Sequence, residues 1–331
     1  MKVIKNSEVG LKAWDEFLVN SEFSSPFQTK AFYDLINSIE NLRANVYAVE
    51  EHGVLLALCV VTIQKEVGIK GFFSRRGIIY GGPVLINNGT EVEFLLKHIS
   101  KELNNVIYIE TRNFGNFSEY RNSFKNAGWE YEPYLNFHLD CSDEQTVWNK
   151  LNTNRQRQIK KAFKEGVVFE EAQTANEIKE FYGILSDLYR TKVKKPLFPI
   201  NFFEKFVTSN VGKILLVKKN DKVIGGIAAP IYNNKSIYEL YICGLDQEYK
   251  ECSPSVMATY AAIEYAFKNN LKRFDFMGAG KPGDDYGVRS FKEKFGGDLV
   301  ENGRFIKINN RFLYNLGSMA IRFLSRRKGK K

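Results

Sequence analysis

Disulfide and structural-zinc scaffolds are both excluded by what this chain has little of. Its four cysteines (Cys59, Cys141, Cys243, Cys252) are scattered without a CxxC pair, and it has only three histidines. A closed zinc site needs four clustered thiolate or imidazole ligands, and a disulfide framework needs paired, densely spaced cysteines. No Ser-His-Asp pattern, nucleotide P-loop or metal motif is present either, so no metal and no tightly bound cofactor is expected. The longest apolar run, VLLALCVVTI from Val54, has ten residues, about half of what a bilayer-crossing helix requires. The N-terminal MKVIKNSEVGLKAWDEF lacks the apolar core of a secretory signal. These absences point to a reduced, cytoplasmic compartment.

Acidic residues are also in deficit. Thirty-eight Asp and Glu face 48 Lys and Arg, leaving a net charge of +10. That balance favours anionic partners: nucleic acid, a nucleotide-linked substrate or an acidic membrane surface. The 331 residues, 44% of them hydrophobic, suffice for two domains with separate cores.

What is present is written twice. Val46–Ile63, VYAVEEHGVLLALCVVTI, and Ile214–Ile231, ILLVKKNDKVIGGIAAPI, are each an apolar strand, a polar turn and a second apolar strand, at an offset of 168. That is a hairpin signal. LLKHISKELNNVIYIET and YAAIEYAFKNNLKRFDF follow at an offset of 165, each a helical pattern ended by Asn-Asn and succeeded by a strand. Asn tolerates the left-handed conformation that closes helices. NSFKNAG from Asn122 then pairs with RSFKEKFG from Arg289. Three landmarks in one order predict a duplicated domain, each copy an α/β (α+β) unit with a mixed sheet flanked by helices. The copies are assigned to residues 1–150 and 151–331, joined through EQTVWNKLNTNRQRQIKKAFKEG, whose N-cap is expected at Ser142 or Asp143.

The stretch GVRSFKEKFGG, Gly287–Gly297, concentrates the candidate chemistry. Phe291 and Phe295, four apart, share a helical face and are expected to pack inward. Lys292 then points elsewhere, either into a site or to solvent, with Arg289 and Lys294 as further basic candidates. Before it lies MGAGKPGDDYG, four glycines in eleven residues, a backbone able to approach a ligand closely or simply to turn. Asp285 there is a candidate to orient an amine or accept its proton. Tyr238 and Tyr241, three apart, face opposite sides of a regular strand, so only a bulge lets both line one site. Arg157, Lys160, Lys161 and Lys164 share one face of the linking helix, expected to be solvated. The C-terminal FLYNLGSMAIRFLSRRKGKK sets Phe312, Leu316, Met319 and Phe323 on one helical stripe beside a basic end, which suits either an anionic membrane or a solubilising tail.

The order hairpin, helix, strand, helix, strand resembles the GNAT acyltransferase fold. Four stretches carry a closer resemblance to the FemABX family of aminoacyl transferases and its GNAT-like relatives in envelope-polysaccharide clusters. They are SPFQTKAFYDLI from Ser25, RRGIIYGGPV from Arg75, YICGLDQEYKECSPSVMATYAAIEYAFKNNLKRFDFMG from Tyr241, and GVRSFKEKFGG. The resemblance implies transfer of an aminoacyl group from aminoacyl-tRNA, or of an acyl group from acyl-CoA, to an amino group on a nucleotide- or lipid-linked cell-envelope precursor. It implies that Phe291 and Lys292 assist transfer, and that Tyr238, Tyr241 and Lys195 of RTKVKKPLFP contact the acceptor. The donor loop corresponds to KECSPS, so Lys250, Ser253 and Ser255 are its candidates. Ser253 and Pro254 stand there in place of a glycine and its neighbour, and proline removes an N–H donor; otherwise Ser253 caps and Pro254 opens the helix. The coiled-coil arm of tRNA-binding members is absent between Val167 and Gly212. Two alternatives stay open: a CoA-dependent N-acetyltransferase of an amino sugar, and a non-catalytic basic protein binding nucleic acid or, through residues 312–331, anionic lipid.

Overall fold

A computed structural model describes residues 1–65, 71, 74–86, 89–284 and 286–326. The chain forms two compact units, one of residues 1–133 with 302–331 and one of residues 134–301. In chain order the first contains β1 (Lys2–Lys5), α1 (Leu11–Val19), α2 (Lys30–Asn37), β2 (Arg43–Glu51), β3 (Val54–Gln64), β4 (Arg76–Gly81), β5 (Val84–Leu85), α3 (Glu91–Glu102), β6 (Tyr108–Asn113), α4 (Arg121–Asn126) and β7 (Glu130–Glu132). The second contains β8 (Leu135–Asp140), α5 (Glu144–Lys150), α6 (Thr153–Lys164), β9 (Val167–Glu171), α7 (Ala175–Leu188), α8 (Ile200–Thr208), β10 (Gly212–Lys219), β11 (Lys222–Tyr232), β12 (Ser236–Tyr238), β13 (Tyr241–Gly244), α9 (Pro254–Lys268), β14 (Arg273–Asp275), α10 (Gly287–Glu293) and β15 (Asp298–Glu301). β16 (Arg304–Ile308) and α11 (Arg311–Arg326) return to the first unit.

The duplication extends to backbone detail. Both hairpins carry a bulge at the equivalent place, between Val49 and Glu50 in β2 and between Val217 and Lys218 in β10. Both turn through two left-handed residues, His52-Gly53 and Asn220-Asp221, the conformation that matches the right-handed twist of the flanking strands. The sheets run β1-β2-β3-β4-β6-β16-β7 and β9-β10-β11-β12-β14-β8-β15, with β5 and β13 as side pairings on β3 and β11. In each, one pair is parallel, β4 with β6 and β12 with β14.

One feature of the order is not in the repeat. The strand that ends the first repeat, β8, inserts between β14 and β15 of the second sheet, and the strand that ends the second repeat, β16, inserts between β6 and β7 of the first. The units therefore divide at Pro133/Tyr134 and Glu301/Asn302, whereas the sequence reading puts a single boundary near residue 150, where each repeat's last strand stays with its own copy. Alternating residues of β8 fit either sheet, so the pattern alone does not decide.

In the second unit one sheet face, with Leu139, Ile227, Ile237 and Phe274, packs against α5, α6, α9 and the end of α10, which bring Ile263 and Phe295 to the same core. Asp143, not Ser142, caps α5, accepting from Thr146 N at 2.8 Å. Thr174 and Glu177 form a capping box at α7, and Lys218 Nζ lies 2.6 Å from both Glu170 and Glu177. The Lys218 ammonium, with the Gln173 and Thr174 amides, pulls the Glu177 carboxyl down to about 2. Its folded value is depressed, so its contribution is present above the ordinary carboxylate range, about 4.3, and is lost as pH falls toward 2. Glu177→Gln keeps the cap acceptor but removes the charge paired with Lys218, and is expected to cost about 1 kcal/mol at pH 7. Chemical denaturation at pH 7 and pH 2 checks this, the difference from wild type closing at the lower pH.

Candidate active site in the second unit

The two parallel strand pairs end differently. In the first unit β4 and β6 stay in register from Arg76↔Tyr108 to Gly81↔Asn113. Fully buried Gln28 stitches the neighbouring gap, taking Val60 N at 2.7 Å and giving its amide to Tyr80 O at 2.8 Å. Phe27 stacks on Tyr80 and packs against Phe114, while Phe23 packs on Phe117. That end is closed. In the second unit the pairing of β12 with β14 stops at Tyr238↔Asp275. The chain then breaks stride at Glu239 and Leu240, and β13 continues on β11 alone. Beyond Tyr238 and Asp275 the parallel strands part, and carboxyl ends of parallel strands are where open α/β sheets take their ligands.

On the core side of this opening, Lys292 Nζ donates to Phe276 O at 2.6 Å and to Gly278 O at 2.9 Å, and pairs with Glu239 Oε1 at 3.0 Å. The other oxygen of Glu239 accepts from Thr259 Oγ1 at 3.1 Å. An ammonium has three protons, and three acceptors hold them. Lys125, its counterpart in the first repeat, is exposed. Arg289 holds the same loop by its carbonyls, through Nε to Ala279 O at 2.9 Å, Nη1 to Asp284 O at 3.1 Å and Nη2 to Lys281 O. Two cations from α10 thus fix the glycine-rich loop. Gly278 N also donates to Asn136 Oδ1 at 2.7 Å, and Ala279 N to Leu135 O at 2.7 Å.

The opposite face carries an acid group that sequence reasoning missed. Asp275 is fully buried and accepts at Oδ1 from Asn136 Nδ2 and from Met277 N, both at 2.8 Å. His138 Nε2 lies 3.1 Å from its Oδ2. Burial pushes the Asp275 carboxyl up, but His138, Arg273 and the Asn136 bond outweigh it and hold it below the ordinary range. The same repeat position in the first unit is also acidic: Glu110, bonded by Arg112 Nε at 2.8 Å. The NNVIYIET and NNLKRFDF alignment holds this signal as Glu110 over Asp275.

The remaining candidates fall as follows. Phe295 is buried and Phe291 half-buried against the core, their rings 5.5 Å apart. Arg155, buried in the linking helix, stacks its guanidinium on both rings and donates to Phe291 O at 3.0 Å. Arg157, Lys160, Lys161 and Lys164 are solvent-exposed. Tyr238 and Tyr241 share the face away from the α9 core, because the break at Glu239-Leu240 adds a residue; Ile237 and Ile242 both pack into that core. Tyr238 is buried beside Asp275, whereas Tyr241 packs on Tyr189, Phe198 and Phe203. Among the described residues, Lys195 and Lys294, both exposed, make no hydrogen bond or ion pair from their side chains with the loop. Asp285 lies outside the described residues, as do residues 327–331 of the tail. Phe312, Leu316 and Met319 of α11 are exposed. Among the described residues no helix is long and apolar enough to cross a membrane.

At the expected donor loop, Ser253 is left-handed (φ 45°) and its hydroxyl caps nothing, contrary to the capping role expected of it; its carbonyl accepts from Val256 N and Met257 N. Pro254 opens α9 as expected. The group seated at this helix start is Asp246, which takes Ser255 N at 3.0 Å and the Ser255 hydroxyl. Lys250 is exposed in the preceding turn. A helix N-terminus attracts one anionic group to its free N–H donors, and here the chain supplies it. A diphosphate would have to displace Asp246, so these residues do not fit a CoA pyrophosphate.

Two mixed sheets, each with one parallel pair and an antiparallel hairpin, define a tandem GNAT acyltransferase fold. Residues 149–292, all within the second unit, match the family described as acetyltransferase (GNAT) domain. Among solved structures the chain is similar to FemX, with a TM-score of 0.69 at 13% identity over 96% of this chain and 99% of that one. It is similar to L-PGS from Bacillus licheniformis, with a TM-score of 0.56 at 12% identity over 91% and 92%. It is also similar to a tandem GNAT protein from the clavulanic acid biosynthesis pathway, with a TM-score of 0.56 at 8% identity over 93% and 99%. No curated protein is matched.

Proposed function

We propose that this chain is an N-acyltransferase that moves an aminoacyl group from aminoacyl-tRNA to an amino group on a cell-envelope precursor in the cytoplasm. The observation that carries the acyl-transfer reading is the parted strand pair of the second unit, bounded by Lys292–Glu239 and by Asp275–His138, within the stretch that matches a GNAT domain. Such a site positions an already activated donor against an amine, and positioning alone removes much of the barrier. Asp246 at the start of α9 favours a donor other than acyl-CoA. The net charge of +10 suits a polyanionic donor and a phosphate-bearing acceptor. The stretches of the sequence that resemble the FemABX family support the envelope precursor as acceptor class.

Labelled aminoacyl-tRNA and labelled acetyl-CoA, supplied separately with an envelope-precursor extract, test the reading. Label is expected to move from the tRNA. Transfer from neither donor sinks it. Immobilised CoA is expected not to retain the wild-type protein. Asp246→Ala empties the helix start, costs about 1 kcal/mol as a lost cap, and is checked by thermal melting. Retention of the wild type on CoA, competed by free CoA, would move the reading to an acetyltransferase.

A further inference from the structure

We propose that His138 is the base that takes the proton from the attacking amine, with Asp275 as its positioning residue. This rests on the acyl-transfer reading above. His138 stands on β8, the exchanged strand, directly across from Asp275 at the point where β12 and β14 part.

The buried carboxylate sets the imidazole's tautomer. Asp275 Oδ1 has two donors, but Oδ2 has no hydrogen bond among the described residues unless His138 Nε2 carries a proton. Nε2 also lies 3.2 Å from Asn136 Nδ2, a donor that already serves Asp275 Oδ1 at 2.8 Å. A bare carboxylate oxygen in a fully buried position is costlier than that one longer amide contact left unmade, so the proton belongs on Nε2. In the neutral ring the lone pair then lies on Nδ1. No described group hydrogen-bonds Nδ1, and the side chain is 17% exposed. The ring is thus held by one nitrogen and open at the other, as a general base requires.

Charged and titratable groups surround the ring from several elements. β14 presents Asp275 and, two residues earlier on the same face, Arg273; β12 presents Tyr238 beside Asp275. β15 sets Asp298 across from His138, with Lys150 of α5 at 3.7 Å from Asp298. On the other side of the opening Lys292 and Glu239 neutralise each other.

The step balances as follows. Nδ1 takes one proton from the acceptor ammonium, and the imidazolium is stabilised by Asp275. The freed amine attacks the donor's ester carbonyl; the C–N bond forms as the C–O bond to the leaving hydroxyl breaks. The nitrogen's second proton passes to that leaving oxygen, and the imidazolium returns its proton to solvent.

His138→Gln tests the proposal, with thermal melting as the check on folding. Acyl transfer at neutral pH is expected to fall about 10²–10⁴-fold in kcat, with little change in KM for the acceptor. The acid limb of the wild-type pH–rate profile is expected to disappear. Wild-type kinetics with the limb intact in His138→Gln would overturn the base, as would a loss of kcat equal at every pH. Nitrogen-15 NMR of the wild-type imidazole supplies a reading independent of any variant: Nε2–H with Nδ1 bare is expected, and Nδ1–H overturns the proposal. If the wild type transfers from neither donor, the functional reading falls and the base with it. If the wild type transfers and His138→Gln matches it, only the base falls.

Discussion

Replacing Lys292 with methionine is expected to destabilise the fold by about 3–5 kcal/mol, the usual cost of stranding one member of a buried ion pair. The Lys292 and Glu239 side chains are 9% and 3% exposed. Without the ammonium, Glu239 keeps Thr259 alone as side-chain donor among the described residues, and the carbonyls of Phe276 and Gly278 lose theirs. Removing both charges, as Lys292→Met with Glu239→Gln, is expected to recover most of the loss, because no buried charge is then left alone. Urea denaturation of the two singles and the double checks this; a double no more stable than Lys292→Met would show that the pair is not the cause. The same proteins separate support from chemistry. If the double regains both stability and transfer, Lys292 acts as the clamp of the glycine-rich loop. If stability returns while transfer stays absent, the lysine has a part in the reaction.

The second large effect is expected at Gly296. Its φ is +78°, and a Cβ there would stand 1.9 Å from Lys150 O, a backbone atom that cannot swing aside. Left-handed backbone alone costs a side chain about 1–2 kcal/mol, and the collision adds to it. Gly296→Ala is therefore expected to lower the melting temperature by at least several degrees. Gly287→Ala is the control. It begins α10 with nothing within 4 Å of an added Cβ, so alanine there is expected to be neutral or slightly stabilising. Equal melting temperatures for Gly296→Ala and wild type would refute the close approach.

How much of this could be read beforehand depends on the range of the interaction. The duplication was legible because hairpins and helix ends are local: EEHG and KKND declare the turns, and the bulges follow at matching positions. The inward packing of Phe291 and Phe295 follows from helical spacing alone. The fate of Lys292 does not, since its acceptors Phe276 O and Gly278 O come from a loop whose path no periodicity describes. The fault in strand register between Tyr238 and Tyr241 was equally hidden, because Glu239 and Leu240 carry no Gly or Pro to mark it. His138 escaped notice for a different reason. One histidine on a strand is unremarkable until β8 crosses into the second sheet and meets Asp275. Asn136, which bonds the same carboxylate, is 139 residues away from it in sequence.

The exchange of β8 and β16 also reverses the order in which the molecule can be finished during synthesis. Domains commonly fold as they emerge, the N-terminal one first. Here every residue of the second unit, 134–301, has been made before the ribosome reaches Arg304. The first unit, begun earlier, still waits with β6 and β7 lacking the strand between them. The half of the chain that starts first closes last, and its open sheet edge is exposed for the whole time the second half takes to appear.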